Sequence, residues 1–318
     1  MESKAADAKR VDRPILLGII GDSAAGKTTL AEGIARILGE EQVLTICSDD
    51  YHLNSRVDRT RKRMTALDPE CNHIDILEQH LQLLRNNQPI LKPTYNHELG
   101  TLGTPRYLAP RPYVIVEGLL GYHTRAMRDC YDVKVFMEPD EELRIKWKIG
   151  RDCTSRGYTD QEVRDELERR KQDAPRFIQP QRTFSDIVIN FHPPKCDDAE
   201  TGAHLDVRHL LRPTLPHPDL TPLIEVGARN GLSLELRRDR DGKPVDVLGI
   251  SGSIADESAE GLENLLWEML PEAHHLQSNH VGEFTDLNGK QNISHPLALT
   301  ELLVAYHMVK AAHGVHAV

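Results

Sequence analysis

The chain has 318 residues, 39% hydrophobic and 28% charged, a balance that suits a large α/β unit with an extension and excludes a disordered chain. A formal net charge of -10 excludes nucleic acid as the main partner, because phosphate-backbone binding requires a broad basic surface. The charged opening MESKAADAKRVDR has no apolar signal core, and the five scattered cysteines (Cys47, Cys71, Cys130, Cys153, Cys196) form no C-x-x-C pair, so the expectation is a cytoplasmic protein with no membrane partner.

Pro14 to Ile20 is a short apolar run ending in Gly21, and from Thr28 the pattern TLAEGIARIL places apolar residues at helical spacing, so this segment reads strand, glycine loop, helix. A second apolar run, Val43 to Cys47, stops abruptly at Ser-Asp-Asp, as a parallel strand does when it delivers carboxylates to the edge of a sheet. Tyr113 to Gly118 and Val133 to Met137 read as further strands, alternating with helical patterns at Ile74 to Leu84, Glu141 to Thr154 and Thr159 to Lys171. Such alternation implies a doubly wound, mostly parallel α/β sheet. His192 to Thr221, rich in Pro, His and Asp, reads as a boundary or long connection. Beyond it LIEVGA, LSLELRR and VDVLGISG read as strands, and Ser258 to Met269 and Leu297 to Ala312 as helices. The expected organisation is a flexible N-terminus over 1–13, a core over 14–192, and an α+β extension over 193–318 packed on that core.

The strongest chemical signal is Gly21-Asp22-Ser23-Ala24-Ala25-Gly26-Lys27-Thr28, followed by Thr29, a complete G-x-x-x-x-G-K-[ST] between strand and helix. The glycines permit a tight loop whose N–H groups cradle phosphates, Lys27 reaches the β/γ-phosphates of a nucleotide, and the Thr28 hydroxyl can ligate Mg²⁺. Asp49, Asp50 and His52 lie just past the second strand, where a carboxylate can take the proton of an acceptor hydroxyl; the alternative is an Asp that caps the next helix. Glu117, after VIV, stands where an acid would hold Mg²⁺ or its water, with a buried paired carboxylate as the alternative. Two cationic clusters, Arg56, Arg59, Arg61, Lys62 and Arg63, then Lys146, Lys148, Arg151, Arg156, Arg169, Arg170 and Lys171, suit one small, highly anionic ligand, or else are solvated helix faces.

In this order SDDYH, NSRVDRTRKR, MTALDPE, KPTYNHELGT, VIVEGL, KIGRDCTSRGY and ELERRK resemble the phosphoribulokinases of cyanobacteria, plants and archaea, from Gly18 to about Phe191. The resemblance resumes in HHLQSNHVGEFTDL and TELLVAYHMVK. It implies a P-loop kinase that uses Mg-ATP to phosphorylate the 1-hydroxyl of ribulose 5-phosphate, and a homodimer. Asp49 is implied as general base, with Lys27, Lys148 and Arg151 also catalytic, and His52, Arg56, Arg59, Tyr95, His97, Arg151 and Arg156 as sugar-phosphate ligands. Asp152 falls among the charged groups of that site, and Arg169 and Arg170 are weaker candidates. A uridine kinase or another small-alcohol kinase on the same core is the alternative within the enzyme class; a nucleotide-binding regulator without turnover is the alternative outside it. Two positions depart from the family: Ala25 replaces the P-loop cysteine that plant-type members pair with the one matching Cys47, and Leu120 stands where a His usually follows EGL.

Overall fold

The computed structural model describes residues 11–197, 199–227, 231–277 and 280–314. Residues 1–10 of the expected flexible N-terminus lie outside these, as do Ala228 of LIEVGA and Ser278 and Asn279 of HHLQSNHVGEFTDL. Val11 and Arg13 are tethered: the Val11 N–H donates to the Ala312 carbonyl at 2.8 Å, and Arg13 pairs with Asp132 at 2.6 Å.

In chain order, β1 (Ile15–Gly21) leads into α1 (Lys27–Leu38), and β2 (Val43–Cys47) into a 3₁₀ turn over Ser48–Tyr51, followed by α2 (Arg56–Lys62) and α3 (Ile74–Arg85). The short strands β3 (Ile90–Lys92), β4 (Tyr95–Asn96), β5 (Thr101–Leu102) and β6 (Arg106–Leu108) nest, β3 pairing with β6 and β4 with β5. Then come β7 (Tyr113–Gly118), α4 (Arg125–Arg128), β8 (Val133–Met137), α5 (Glu141–Ser155), α6 (Asp160–Arg170) and β9 (Ile187–His192). The last third carries β10 (Asp206–Leu211), α7 (Thr221–Gly227), β11 (Leu232–Arg238), β12 (Pro244–Ile250), α8 (Asp256–Glu268), β13 (Glu283–Thr285), β14 (Gln291–Ile293) and α9 (His295–Ala312).

The central eight-stranded sheet runs β11-β12-β10-β9-β8-β1-β7-β2. From β2 to β9 every pairing is parallel; β10, β12 and β11 add antiparallel strands. All of β1 is buried, and its alternating side chains feed two cores. Ile15, Leu17 and Ile19 pack with the apolar faces of α1, α8 and α9, whereas Leu16 and Ile20 pack with α3. The C-terminal residues therefore prolong the sheet that carries the glycine loop, and α9 lies against that loop's helix. No helix among the described residues is long and apolar enough to cross a membrane.

Two elements differ from the sequence expectation. Leu223 to Gly227 of LIEVGA, expected as a strand, lie in helix α7: a short apolar run has no period that separates strand from helix, and the helix starts where Asp219 accepts the Thr221 N–H at 2.9 Å. Within the stretch read as a boundary, β10 is a central strand of the enlarged sheet. Its hydrophobic run is broken by His209, which is fully buried and bonds the Thr300 hydroxyl at 2.9 Å.

Candidate active site

The glycine loop sits at the carboxyl end of β1, between the ends of β7 and β8. A Cβ at Gly21 would lie 2.4 Å from the Met137 carbonyl oxygen, so only glycine lets the loop leave the sheet here. Gly26 opens α1 with φ of 86°, a conformation glycine adopts without strain, and the helix N-terminus points its free N–H groups at the loop. Lys27 curls back to donate to the Asp22 carbonyl at 2.8 Å, and Arg144 of α5 donates to the Ser23 carbonyl at 3.0 Å while lying 3.7 Å from the Asp22 carboxylate.

Thr28 faces the end of β7, its hydroxyl donating to Glu117 Oε1 at 3.4 Å. Burial pushes the Glu117 carboxyl above its usual range, Lys27 opposes that shift, and Asp49 adds to it. No group of three or more His, Cys, Asp or Glu among the described residues could hold a metal by itself. A hydroxyl and a carboxylate beside a phosphate cradle nevertheless fit Mg²⁺, which takes one or two protein oxygens and fills the rest of its shell with phosphate and water.

Asp49 and Asp50 part ways at the end of β2. Asp50 pairs with Lys92 and accepts the Tyr95 N–H at 3.1 Å, which fixes the nested hairpins to the sheet. Asp49 accepts no hydrogen bond and makes no ion pair among the described residues. Gly118, at φ of 151°, lets the strand ends meet, since a Cβ there would lie 1.9 Å from the Ser48 hydroxyl and 3.2 Å from Asp49 Oδ1. Around Asp49 stand charged and polar groups from three directions: Glu117 from β7, His52 and His97 from the hairpin side, and Arg156 from the end of α5.

On the hairpin side Tyr95 is the hub. Its ring meets His52 edge-on with centroids 4.7 Å apart and His97 at 5.0 Å, and its hydroxyl accepts from Arg59 at 3.0 Å. His52 is fixed by Asn72 at 2.7 Å, and burial pulls its imidazole down to about 4, so it is neutral at pH 7. Burial lowers His97 as well. Arg56 spans from α2 to the His97 and Glu98 carbonyls. Arg56 and Arg59 form no ion pair with a carboxylate among the described residues. Arg61 and Arg63, by contrast, are solvent-exposed.

The α5 residues form the third wall. Arg151 donates to Asp152 at 2.8 Å and to the Ser23 hydroxyl at 3.2 Å, so it touches the glycine loop directly. Arg156 lies 3.4 Å from Asp152. Lys148, expected as a catalytic group, is 1% exposed and pairs with Asp152 at 2.7 Å and Glu166 at 3.7 Å, so it sits beneath the wall and not at its surface. Burial works against ionisation of Asp152, yet Arg151 and Lys148 hold its carboxyl below the usual range. Arg170 reaches this network through Glu166, while Arg169 is exposed. Leu120 is buried in the α3-side core at 3% exposure, so that position contributes packing and not a polar contact.

A cavity of about 720 Å³ opens beside the loop, within the usual size range of a ligand pocket. Its floor is the loop from Ala24 to Thr29, and its far wall includes Trp147, Thr201, Phe284, Leu287, Asn288 and Leu297. The Trp147 indole donates to the Thr201 carbonyl at 2.7 Å, closing α5 onto the C-terminal third. Sequence reasoning gave this wall no role: Phe284 and Leu287 lie in HHLQSNHVGEFTDL, to which the resemblance assigns no function, and Trp147, Thr201, Asn288 and Leu297 lie in no motif. It also missed Arg144, although Arg144, Lys148 and Arg151 lie at i, i+4 and i+7 on one helix face, a spacing that could have singled it out.

A family model described as Phosphoribulokinase / Uridine kinase family matches residues 16–196. The chain is 36% identical over 199 residues to a phosphoribulokinase of Synechocystis sp., covering 63% of this chain and 60% of that protein. It is 31% identical over 217 residues to the chloroplastic phosphoribulokinase of Arabidopsis thaliana, covering 62% and 55% respectively. A uridine kinase of Oceanobacillus iheyensis is 32% identical over 181 residues, 56% of this chain and 86% of that protein. The chain thus matches somewhat under two thirds of the length of these phosphoribulokinases. A solved phosphoribulokinase from Rhodobacter spheroides shares the fold, with a TM-score of 0.58 at 19% identity over 83% of this chain and 98% of that one. The matched segment contains the glycine loop, Asp49, the nested hairpins, Glu117 and the α5 cations, and with it the chain belongs to the phosphoribulokinase/uridine kinase family.

Proposed function

We propose that this protein transfers the γ-phosphoryl group of Mg-ATP to the 1-hydroxyl of ribulose 5-phosphate. The observation that carries this reading is an unengaged carboxylate, Asp49, that has Glu117, the partner of Thr28 in the glycine loop, on one side and His52, His97 and Arg156 on the other, with Tyr95 and Arg59 packed against those histidines. A doubly charged sugar phosphate needs such cations, and its hydroxyl needs a base on the side facing the γ-phosphate. The names of the Synechocystis and plant relatives point the same way.

In this mechanism the loop N–H groups and Lys27 take the β/γ-phosphates, and the bond from Lys27 to the Asp22 carbonyl is exchanged for one to phosphate. Thr28 and Glu117 would hold Mg²⁺, whose charge offsets that of the transferring group. Asp49 accepts the hydroxyl proton as the oxygen attacks. Arg151, already bonded to Ser23, is placed to stabilise charge that builds on the phosphoryl oxygens, while Arg59, Arg56 and Arg156 clamp the phosphate of the acceptor. Lys148 acts through Asp152 by fixing the two arginines that bond it.

The test is ADP release across a panel of acceptors with Mg-ATP. Ribulose 5-phosphate giving the highest kcat/KM supports the assignment; a higher value with uridine moves the protein to the other branch of its family, and no turnover with any alcohol removes it from the kinases. A cytoplasmic setting is the one that five unpaired cysteines favour. A homodimer is supported by β11, the end strand of the sheet, which leaves Leu234 41% and Leu236 76% exposed beside its unpaired edge. Sedimentation of a Leu236→Lys variant checks this, with a monomer expected.

A further inference from the structure

The far wall of the cavity beside the phosphate loop, the side on which a nucleotide bound by that loop would lie, is rooted at Gly282, which immediately precedes β13. Its φ is 74°, and a Cβ there would lie 2.4 Å from the Ser294 carbonyl, so the chain is pressed against the start of α9. The Ser294 N–H donates to the Gly282 carbonyl at 2.9 Å, and the Gly282 N–H donates to Glu301 Oε2 at 2.8 Å. The next residue, Glu283, gives its carbonyl to Arg36 of α1 at 2.9 Å. From here the chain runs directly into Phe284 to Gly289, which lines the cavity.

Glu301 is fully buried where α9 crosses α1, the helix that begins at the phosphate loop. The crossing is close because residue 33 is glycine: a Cβ there would sit 1.9 Å from Glu301 Oε1. Among the described residues Glu301 Oε1 and Arg36 Nε are both buried without a hydrogen-bond partner. A buried carboxylate at a helix crossing is costly unless something requires it, and an apolar residue would fill the same space. What Glu301 adds over an apolar residue is its bond to the base of the cavity wall. Burial pushes its carboxyl up to about 8, against the pull of Arg36, so at pH 7 it is mostly neutral and a glutamine mimics it in charge and shape.

We propose that Glu301 and Arg36 are positioning residues that fix the β13–β14 wall to the phosphate-loop helix and thereby set nucleotide affinity. Neither lines the cavity. Both act on the two peptide groups at the root of the wall, one from each helix. The proposal rests on the reading of the cavity as the nucleotide site, and its test uses a measurement that needs no acceptor.

That measurement is calorimetric binding of ADP with Mg²⁺ to Glu301→Leu, Glu301→Gln and Arg36→Met, with folding checked by circular dichroism and thermal melting, and the KM for ribulose 5-phosphate measured beside it. Glu301→Leu and Arg36→Met should each weaken ADP binding about 5- to 10-fold, the loss of one buried hydrogen bond at the root of the wall. Glu301→Gln, which can still accept the Gly282 N–H, should stay within about twofold. The sugar-phosphate KM should not follow the ADP constant. Should Glu301→Leu fail to fold, Arg36→Met decides, since Arg36 is only half-buried. Folded variants that bind ADP as wild type does overturn the positioning role, as does a sugar-phosphate KM that rises in step with the ADP constant. Wild-type protein that binds no ADP overturns the nucleotide-site reading and this proposal together, whereas ADP binding without turnover of ribulose 5-phosphate leaves the positioning test intact and removes only the acceptor.

Discussion

Asp49 and Asp50 are neighbours in the chain, yet Lys92 and the Tyr95 N–H engage the Asp50 carboxylate while the Asp49 carboxylate has neither a hydrogen bond nor an ion pair among the described residues. The division follows from the 3₁₀ turn after β2, which points adjacent side chains in different directions. A carboxylate that stays unengaged beside a phosphate cradle is available to take a proton. Asp49→Asn should therefore lower kcat by about 10²-fold or more with ADP affinity unchanged, because Asn keeps the shape and loses the base. Asp50→Asn should instead reduce thermal stability, by detaching the nested hairpins. Steady-state kinetics and melting of the two variants separate the roles; near wild-type kcat in Asp49→Asn would make Asp49 a spacer.

Arg59 bonds the Asn54 carbonyl and the Tyr95 hydroxyl and faces two histidines that burial keeps neutral. Its charge is thus free to serve a phosphate. Arg59→Ala should raise the sugar-phosphate KM by about 10-fold or more and leave the ATP KM nearly unchanged, since a phosphate clamp contributes to ground and transition states alike. An unchanged acceptor KM would return Arg59 to the role of hairpin brace.

How far the sequence could be read depended on whether a residue's partner is local. The glycine loop, the strand-end acids Asp49 and Glu117, and the parallel core were legible because each is a short stretch with a fixed chemical pattern. The Arg59–Tyr95 and His52–Asn72 contacts span 36 and 20 residues, and only the family resemblance had grouped the first pair. The cavity wall and the Glu301–Gly282 bond were not legible, because they arise where α9 crosses α1 far along the chain. Strand β10 was hidden by a buried histidine, and α7 by an apolar run too short to show a period.

The join between the core and the C-terminal strands gives a stability prediction. Asp239 is buried at 7% exposure and held by Arg182 at 2.7 Å and Arg212 at 2.5 Å. Burial alone would raise its carboxyl, but the bonds from Arg212 and Arg182 hold it down to about 2. A depressed folded-state value contributes stability that is present above the unfolded value near 4 and is lost as pH falls towards 2. Asp239→Asn leaves two guanidinium groups short of their counter-charge and should cost about 3 kcal/mol at pH 7. Melting across pH should show the gap to wild type narrowing as pH falls below about 4; a gap independent of pH would deny the ion pairs their role.

The last prediction is that no thiol switch regulates this protein, and two separate features support it. The first is composition: position 25 of the phosphate loop is alanine, fully buried, so the cysteine pair that plant-type relatives are expected to use has lost one partner. A disulfide requires Cα atoms within about 7 Å and suitably directed Cβ vectors, and all five cysteines of this chain are free. The second is electrostatic. Burial pushes the Cys47 thiol well above its usual range, and Glu117 and Asp49 push it further the same way, so at neutral pH it is a protonated thiol. Thiolate is the reactive form, and exchange with an oxidised dithiol should accordingly be slow. Activity should stay within about twofold after treatment with oxidised dithiothreitol or with reductant. Cys47→Ser should behave like wild type in both media, since serine keeps the size and removes the sulfur. A large, reversible loss of activity that requires Cys47 and one other cysteine would overturn this, and mass mapping of the oxidised protein would then identify the partner.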